Sequence, residues 1–166
     1  MGTNGSTLLD PLAASRQSLP PLEQSAVSGS ASCALPAQYE AVGKARQFTR
    51  GTLTEWDVQE CFDDICLVVS ELVTNALRHA LPADAPDDQD PPVRLHLMRW
   101  ATRIVCAVRD PSNDSPVAGA TADAADDCAA ESGRGLFLVD SFSDGWGWHP
   151  LAGTLSGKVV WALFRI

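Results

Sequence analysis

The sequence lacks an apolar run of the roughly 18 residues that a membrane-spanning helix needs, so we expect no membrane segment. Basic residues are also scarce: 12 Lys and Arg stand against 21 Asp and Glu, a formal net charge of −9. A nucleic-acid-binding protein that relies on a basic face has the opposite balance, so we expect no direct contact with nucleic acid.

The five cysteines form no C-x-x-C pair and share no metal-ligand spacing with the three histidines. An odd number of scattered thiols is typical of a reducing compartment. The N-terminus also lacks the basic region followed by an apolar region that marks a secretory signal. Together these absences predict a cytoplasmic protein.

The chain divides into a tail and one domain. Residues 1–30 are rich in Ser, Gly, Pro, Ala and Gln, which predicts a disordered N-terminal tail, and we assign residues 31–166 to a single domain. Nine acidic residues fall in segments 82–92 and 111–131, which contain no Lys or Arg. The second segment is too long for an ordinary connection, so we expect a lid at about 111–132, or a disordered loop there.

Hydrophobic periodicity predicts the secondary structure. Residues 39–56 form a helix broken near Gly51, and residues 57–80 form a longer helix that Asp57 caps and Pro82 ends. The apolar stripe of the longer helix is Val58, Phe62, Ile65, Val69, Leu72 and Ala76. Alternating patterns predict one hairpin over 93–109 and another over 145–165, with a short helix at 135–142 between them. This order predicts an α+β two-layer sandwich, a mixed or antiparallel sheet covered on one face by helices.

Three polar residues of the longer helix share a face that flanks its apolar stripe: Glu71, Asn75 and Arg78. Such a group is often no more than a solvated surface. A carboxylate and a carboxamide one turn apart also offer the hard oxygen ligands that suit a Mg²⁺ ion that keeps most of its waters. His79 can reach the same region, or interact as a cation with the end of the helix dipole.

Asp110 ends the second predicted strand. It shares a side with Ile104 and Val108, so it faces the helices, where a carboxylate can accept a hydrogen bond from an amino group such as that of adenine. It can equally do no more than begin the turn that follows.

Further along, Gly133-Arg134-Gly135 opens a predicted helix, where backbone N–H groups and Arg134 can approach a phosphate. A glycine-rich helix start without a ligand is the alternative.

Three segments together are a far more specific signal than any one of them alone. They are ELVTNALRHA at 71–80, Asp110 after an apolar strand, and ESGRGL at 131–136. They resemble the ATP-binding boxes of the histidine-kinase-like (GHKL) ATPase superfamily, most closely its small bacterial anti-sigma-factor serine/threonine kinases. The resemblance extends from about residue 35 to residue 161. It implies a Bergerat-type ATP-binding fold, with ATP held between the sheet and the helices.

The resemblance implies a role for each box. Asn75 matches the asparagine that coordinates magnesium, Glu71 the proposed general base, and Asp110 the aspartate that reads adenine. Gly133, Gly135 and the helix start at Leu136 match the lid hinge that contacts phosphate. In the kinase branch, such a protein sequesters a sigma factor and phosphorylates an anti-sigma antagonist; homodimers are common there.

The sequence departs from the family pattern at two places. Pro111 and Ser112 follow Asp110, and neither glycine of the D-x-G-x-G motif is present. Gly157-Lys158 stands where the family has Gly-Thr. The acidic lid leaves phosphate charge to Mg²⁺, Arg134 and the helix N-terminus, with Arg78 and Lys158 as further candidates. The missing glycines favour the alternative function, a non-catalytic module that sequesters a sigma factor or an antagonist, and the presence of Glu71 and Asn75 opposes it.

Overall fold

The computed structural model describes residues 27–79, 93–116, 127–153 and 155–166, except for the side chains of His79 and of residues 127–134. The elements in this part of the chain are, in order, β1 (Val27–Leu35), α1 (Glu40–Glu55), α2 (Phe62–His79), β2 (Val93–Trp100), β3 (Arg103–Asp110), α3 (Asp127–Phe142), β4 (Gly145–Pro150) and β5 (Lys158–Arg165). Residues 1–26, and with them most of the predicted tail, lie outside the described part, as do the loop 82–92 and residues 117–126 of the predicted lid.

The five strands form one open sheet in the order β1-β2-β3-β5-β4, and every neighbouring pair is antiparallel. Helix α1 packs against β1, α2 against β2, β3 and β5, and α3 against α2 and β4. The predicted α+β sandwich is therefore confirmed, with an antiparallel rather than a mixed sheet. No helix in the described ranges is long and apolar enough to cross a membrane.

The core lies between α2 and the sheet because both elements present a continuous apolar side. Within α2 the predicted stripe is buried from Ile65 onward, and Phe62 before it is partly buried. On the sheet, alternate residues of β3 and β5 face the helices, as the period of two requires. The residues concerned are Ile65, Val69, Leu72 and Ala76 of α2, Ile104, Cys106 and Val108 of β3, and Val160, Ala162 and Phe164 of β5.

The two helices before β2 differ from the prediction at their ends. Helix α1 runs through Gly51 without a break because it buries Thr49, Thr52 and Leu53 on both sides of that glycine. Such packing outweighs the cost of about 1 kcal/mol for one helical glycine. Helix α2 begins only at Phe62, and Asp57 does not cap it: Asp57 has a φ of 54° and lies in the connection from α1.

Two boundaries also differ. Strand β1 begins at Val27, four residues inside the segment predicted as tail, and pairs with β2 along its length. Helix α3 begins at Asp127, eight residues before the predicted start at 135. The hairpins β2–β3 and β4–β5 lie where the alternating patterns predicted them.

Candidate active site

Helix α2 carries the first group of predicted site residues. Glu71 and Asn75 are half-buried one turn apart, and Arg78 is exposed at the end of the helix. Burial raises the pKa of the Glu71 carboxyl, and the positive charge of Arg78 partly opposes this rise. A carboxylate with a raised pKa holds a proton more readily, which suits a group that must accept one during a reaction.

Helix α3 approaches this carboxylate at Gly135. A Cβ atom built at Gly135 would lie 3.0 Å from Oε2 of Glu71, closer than nearly all real contacts of a Cβ atom. The absence of a side chain at position 135 therefore allows α3 to lie directly against the carboxylate. The glycine segment and the acidic residue, 64 positions apart in the sequence, are brought together by the packing of α3 on α2.

We expect Gly135→Ala to lower any reaction that depends on Glu71 by about tenfold or more, because misplacing a reacting group by less than 1 Å is costly. The fold should be retained, since the clashing atom is the flexible end of Glu71 and alanine favours a helix over glycine. Gly51→Ala is the matched control, because that glycine is also helical and has no atom within 4 Å of its Cβ position. The two variants should have similar melting temperatures but different activities, as thermal melting and activity assays will measure. Equal activities would contradict a role for Gly135 in positioning Glu71.

The structure corrects one part of the phosphate-binding prediction. Gly133 and Gly135 were expected to open a helix, but α3 begins at Asp127, so both glycines lie in its interior. Backbone N–H groups inside a helix are used by its own carbonyls and are not available to a phosphate. These N–H groups can contact a phosphate only if the first turns of α3 unwind.

Among the other predicted residues of this region, the structure describes the side chain of Leu136 but not those of Arg134 and His79. Leu136 is buried, so its side chain serves the packing of α3. The side chains of Arg134 and His79 lie outside the described part of the chain, and their expected contacts with phosphate stay predictions.

Asp110 lies at the end of β3 on the face that α2 covers, and it is only 2% exposed. Its Oδ1 accepts a hydrogen bond from Nζ of Lys158 at 3.0 Å and another from the backbone N–H of Ser112 at 2.9 Å. Lys158 is the residue directly opposite on β5 and is itself buried. Burial raises the pKa of the Asp110 carboxyl, and the Lys158 ammonium and the Ser112 N–H oppose that rise.

The turn after Asp110 is held to the loop before β5 by the side chain of Asn113. Oδ1 of Asn113 accepts a hydrogen bond from the backbone N–H of Gly157 at 2.8 Å, and its Nδ2 donates to Oγ of Ser156 at 3.0 Å. Gly157 has a φ of 122°, and a Cβ there would overlap the carbonyl oxygen of Asp110. The turn and the loop before β5 are thus locked together around Asp110.

Sequence reasoning named Lys158 only as a departure and as a candidate cation for phosphate. The structure shows its ammonium buried in an ion pair with Asp110, and the contact with phosphate stays a prediction. One signal in the sequence pointed there: Lys158 has the same parity as Val160, Ala162 and Phe164. On a strand that parity gives one face, and here that face is the core.

The two ends of the expected nucleotide site fit Mg²⁺-ATP unequally. Glu71 and Asn75 offer oxygen atoms of the kind that Mg²⁺ prefers, together with waters and phosphate. No group of three or more His, Cys, Asp and Glu side chains among the described residues could hold a metal alone, and Mg²⁺ does not require one. At the base end, Oδ1 of Asp110 already accepts from two donors within the protein.

The chain is similar to known proteins both in sequence pattern and in fold. A family model described as histidine kinase-like ATPase domain matches residues 35–162. The crystal structure of the RsbU and RsbW domains of Rv1364c from Mycobacterium tuberculosis matches with a TM-score of 0.57 at 17% sequence identity. The match covers 83% of this chain but only 32% of that one, and at this identity it shows the fold alone. No curated protein sequence matches the chain.

Proposed function

Because the chain belongs to the histidine kinase-like ATPase domain family, we propose that it is a protein kinase that uses Mg²⁺ and ATP. Membership of this family implies ATP binding. Its substrate would be a serine or threonine of an anti-sigma antagonist, and its regulatory partner a sigma factor. The choice of branch rests on the resemblance of the three ATP-binding boxes, and the fold agrees with that of the solved structure that contains an RsbW domain.

The observation that carries the proposal is the contact between Gly135 and Glu71. It leaves a carboxylate with a raised pKa beside the glycine segment of α3. In the proposed reaction, Glu71 accepts the proton of the attacking hydroxyl, and the amide oxygen of Asn75 is the ligand that would hold Mg²⁺. Bound Mg²⁺-ATP would supply the phosphoryl group, and phosphoryl transfer needs little from the protein beyond positioning and charge. Arg78 and Arg134 are the cations nearest in sequence to these two segments.

A second function has its own support: a module that binds a sigma factor or an antagonist without turnover, alone or as a homodimer. The ion pair between Asp110 and Lys158 favours it, because the carboxylate expected to read the base is already bonded within the protein. The presence of both Glu71 and Asn75 opposes it, since a module that only binds a protein has no need of a base and a metal ligand.

The two functions are separated by titrating Mg²⁺-ATP into the protein and then adding a candidate anti-sigma antagonist with γ-labelled ATP. For the kinase, we expect heat of binding, little hydrolysis alone, and label on the antagonist that disappears when its acceptor serine or threonine is replaced by alanine. A stable complex with the antagonist that never acquires label would support the binding module. Absence of both label and complex would contradict both functions.

A further inference from the structure

The buried pair of Asp110 and Lys158 lies where the proposed nucleotide site would read the base. We infer that Lys158 withdraws Asp110 from base recognition, so that the site binds nucleoside triphosphates with little regard for the purine they carry. This inference rests on the nucleotide site of the proposed function, but not on phosphoryl transfer. It depends on the cation at position 158, which is buried against Asp110.

The first support is the geometry of the pair. The two residues are direct partners across β3 and β5, so the sheet register holds their backbones opposite each other. Nζ of Lys158 lies 3.0 Å from Oδ1 of Asp110, and the side chains are 4% and 2% exposed, respectively. The pair is therefore built into the sheet and shielded from water on the side that the helices cover.

The second support is that the carboxylate cannot easily turn toward a ligand. The N–H of Ser112 donates to the same Oδ1 atom, and the turn that contains Ser112 is fastened to the loop before β5 through Asn113 and Gly157. Rotating the carboxylate would break a hydrogen bond from an ammonium and one from a backbone N–H at once. The Lys158 ammonium and the Ser112 N–H would then be left without their hydrogen-bond acceptor, which is costly for buried groups.

The third support is the difference in strength between the competing donors. An exocyclic amino group of a purine is neutral, whereas the Lys158 ammonium carries a full charge, so its Coulomb attraction to the Asp110 carboxylate is one that the base cannot supply. A base that displaced Lys158 would also leave an ammonium ion buried and unpaired, which is strongly unfavourable. The base therefore leaves the pair intact, and the triphosphate end provides most of the affinity.

The test compares ATP with inosine triphosphate (ITP), which has a 6-oxo group in place of the 6-amino group. Calorimetric titration at pH 8 in the presence of Mg²⁺ should give affinities within about threefold of each other for the wild-type protein. In Lys158→Met the carboxylate is free to accept from the 6-amino group and repels the 6-oxo group. We expect this variant to prefer ATP over ITP by about tenfold or more, the effect of one hydrogen bond to a charged group.

Two further variants make the comparison specific. Lys44→Met, at an exposed lysine of α1, removes the same charge elsewhere and should keep the wild-type ratio. Lys158→Met combined with Asp110→Asn should lose the new preference, because the ionised acceptor is gone. A ligand-free measurement accompanies them: in urea unfolding, Lys158→Met and Asp110→Asn should each destabilise the fold, and the double variant should recover part of the loss.

The outcomes are distinguishable. A wild-type preference for ATP of tenfold or more would overturn the inference without any variant, even if Lys158→Met failed to fold. A folded Lys158→Met variant with the wild-type ratio of ATP to ITP affinity would also overturn the inference. So would a failure of both the wild type and this variant to bind either nucleotide. Nearly equal binding of ATP and ITP by the wild type, with no transfer of label to an antagonist, would support the inference and contradict only the kinase function.

Discussion

Replacing Glu71 with glutamine is expected to lower phosphoryl transfer to a partner by about 10²-fold to 10⁴-fold, the usual contribution of a general base. The affinity for Mg²⁺-ATP should stay within about twofold, because glutamine keeps the shape of the side chain and the base acts only in the chemical step. Transfer is measured with γ-labelled ATP under single-turnover conditions, and affinity by calorimetry. Transfer at the wild-type rate would remove Glu71 from the mechanism.

Two other variants frame this result. Glu55→Gln, at an exposed glutamate of α1, removes one carboxylate that is not part of the proposed site and should leave both quantities unchanged. Asn75→Ala should behave in the opposite way to Glu71→Gln and weaken the binding of Mg²⁺-ATP itself, since its proposed role is to hold the metal. If Asn75→Ala left that affinity unchanged, the metal role would be lost while the role of Glu71 stood.

The raised pKa of Glu71 adds a pH dependence with a definite sign. Because burial raises this pKa above its ordinary value of 4.5, the transfer rate should increase with pH through a midpoint above 4.5 and then level off. The same shift acts on stability: the folded state favours the protonated acid, so this contribution is complete below pH 4.5 and is lost as pH rises through the folded-state pKa. Glu71→Gln should therefore melt above the wild type at pH 7, and the difference should vanish in acid.

The largest effect on stability is expected from Gly157→Ala, which should lower the free energy of unfolding by about 3 kcal/mol or more. Two causes add at this position. A φ of 122° is strained for any side chain, and the new Cβ would overlap the carbonyl oxygen of Asp110. Neither cause can relax easily, because the N–H of Gly157 is bonded to Asn113 and its carbonyl to the N–H of Leu151.

Gly153→Ala provides the matched comparison in the same connection between β4 and β5. Gly153 also has a positive φ, 73°, but nothing lies within 4 Å of its Cβ position. The free energy of unfolding of that variant should fall only by the cost of a positive φ for a residue with a side chain, about 1 kcal/mol. Urea unfolding of both variants measures the difference, and equal losses would show that the overlap with Asp110 does not matter.

Local periodicity was sufficient for a large part of the fold. The apolar stripe of α2 and the alternation in β2, β3 and β5 could be predicted because a helix and a strand impose their repeat on neighbouring residues. The same reasoning gave the inward direction of Asp110, which is confirmed by its burial. It failed for β1, whose sequence VSGSASCAL has small and polar residues and forms a strand because β2 offers it an edge to pair with.

What the sequence alone determined is therefore every described element except β1, the face of the sheet on which Asp110 lies, and the candidate residues of the ATP-binding boxes. Only the tertiary structure decided how those residues meet: Glu71 against Gly135, and Asp110 against Lys158. The physical reason is separation along the chain. Residues 110 and 158 become partners through the register of β3 with β5, and residues 71 and 135 through the packing of two helices. The hydrophobic periodicity of a short segment cannot predict either contact, because both arise from the assembled sheet and its helical layer.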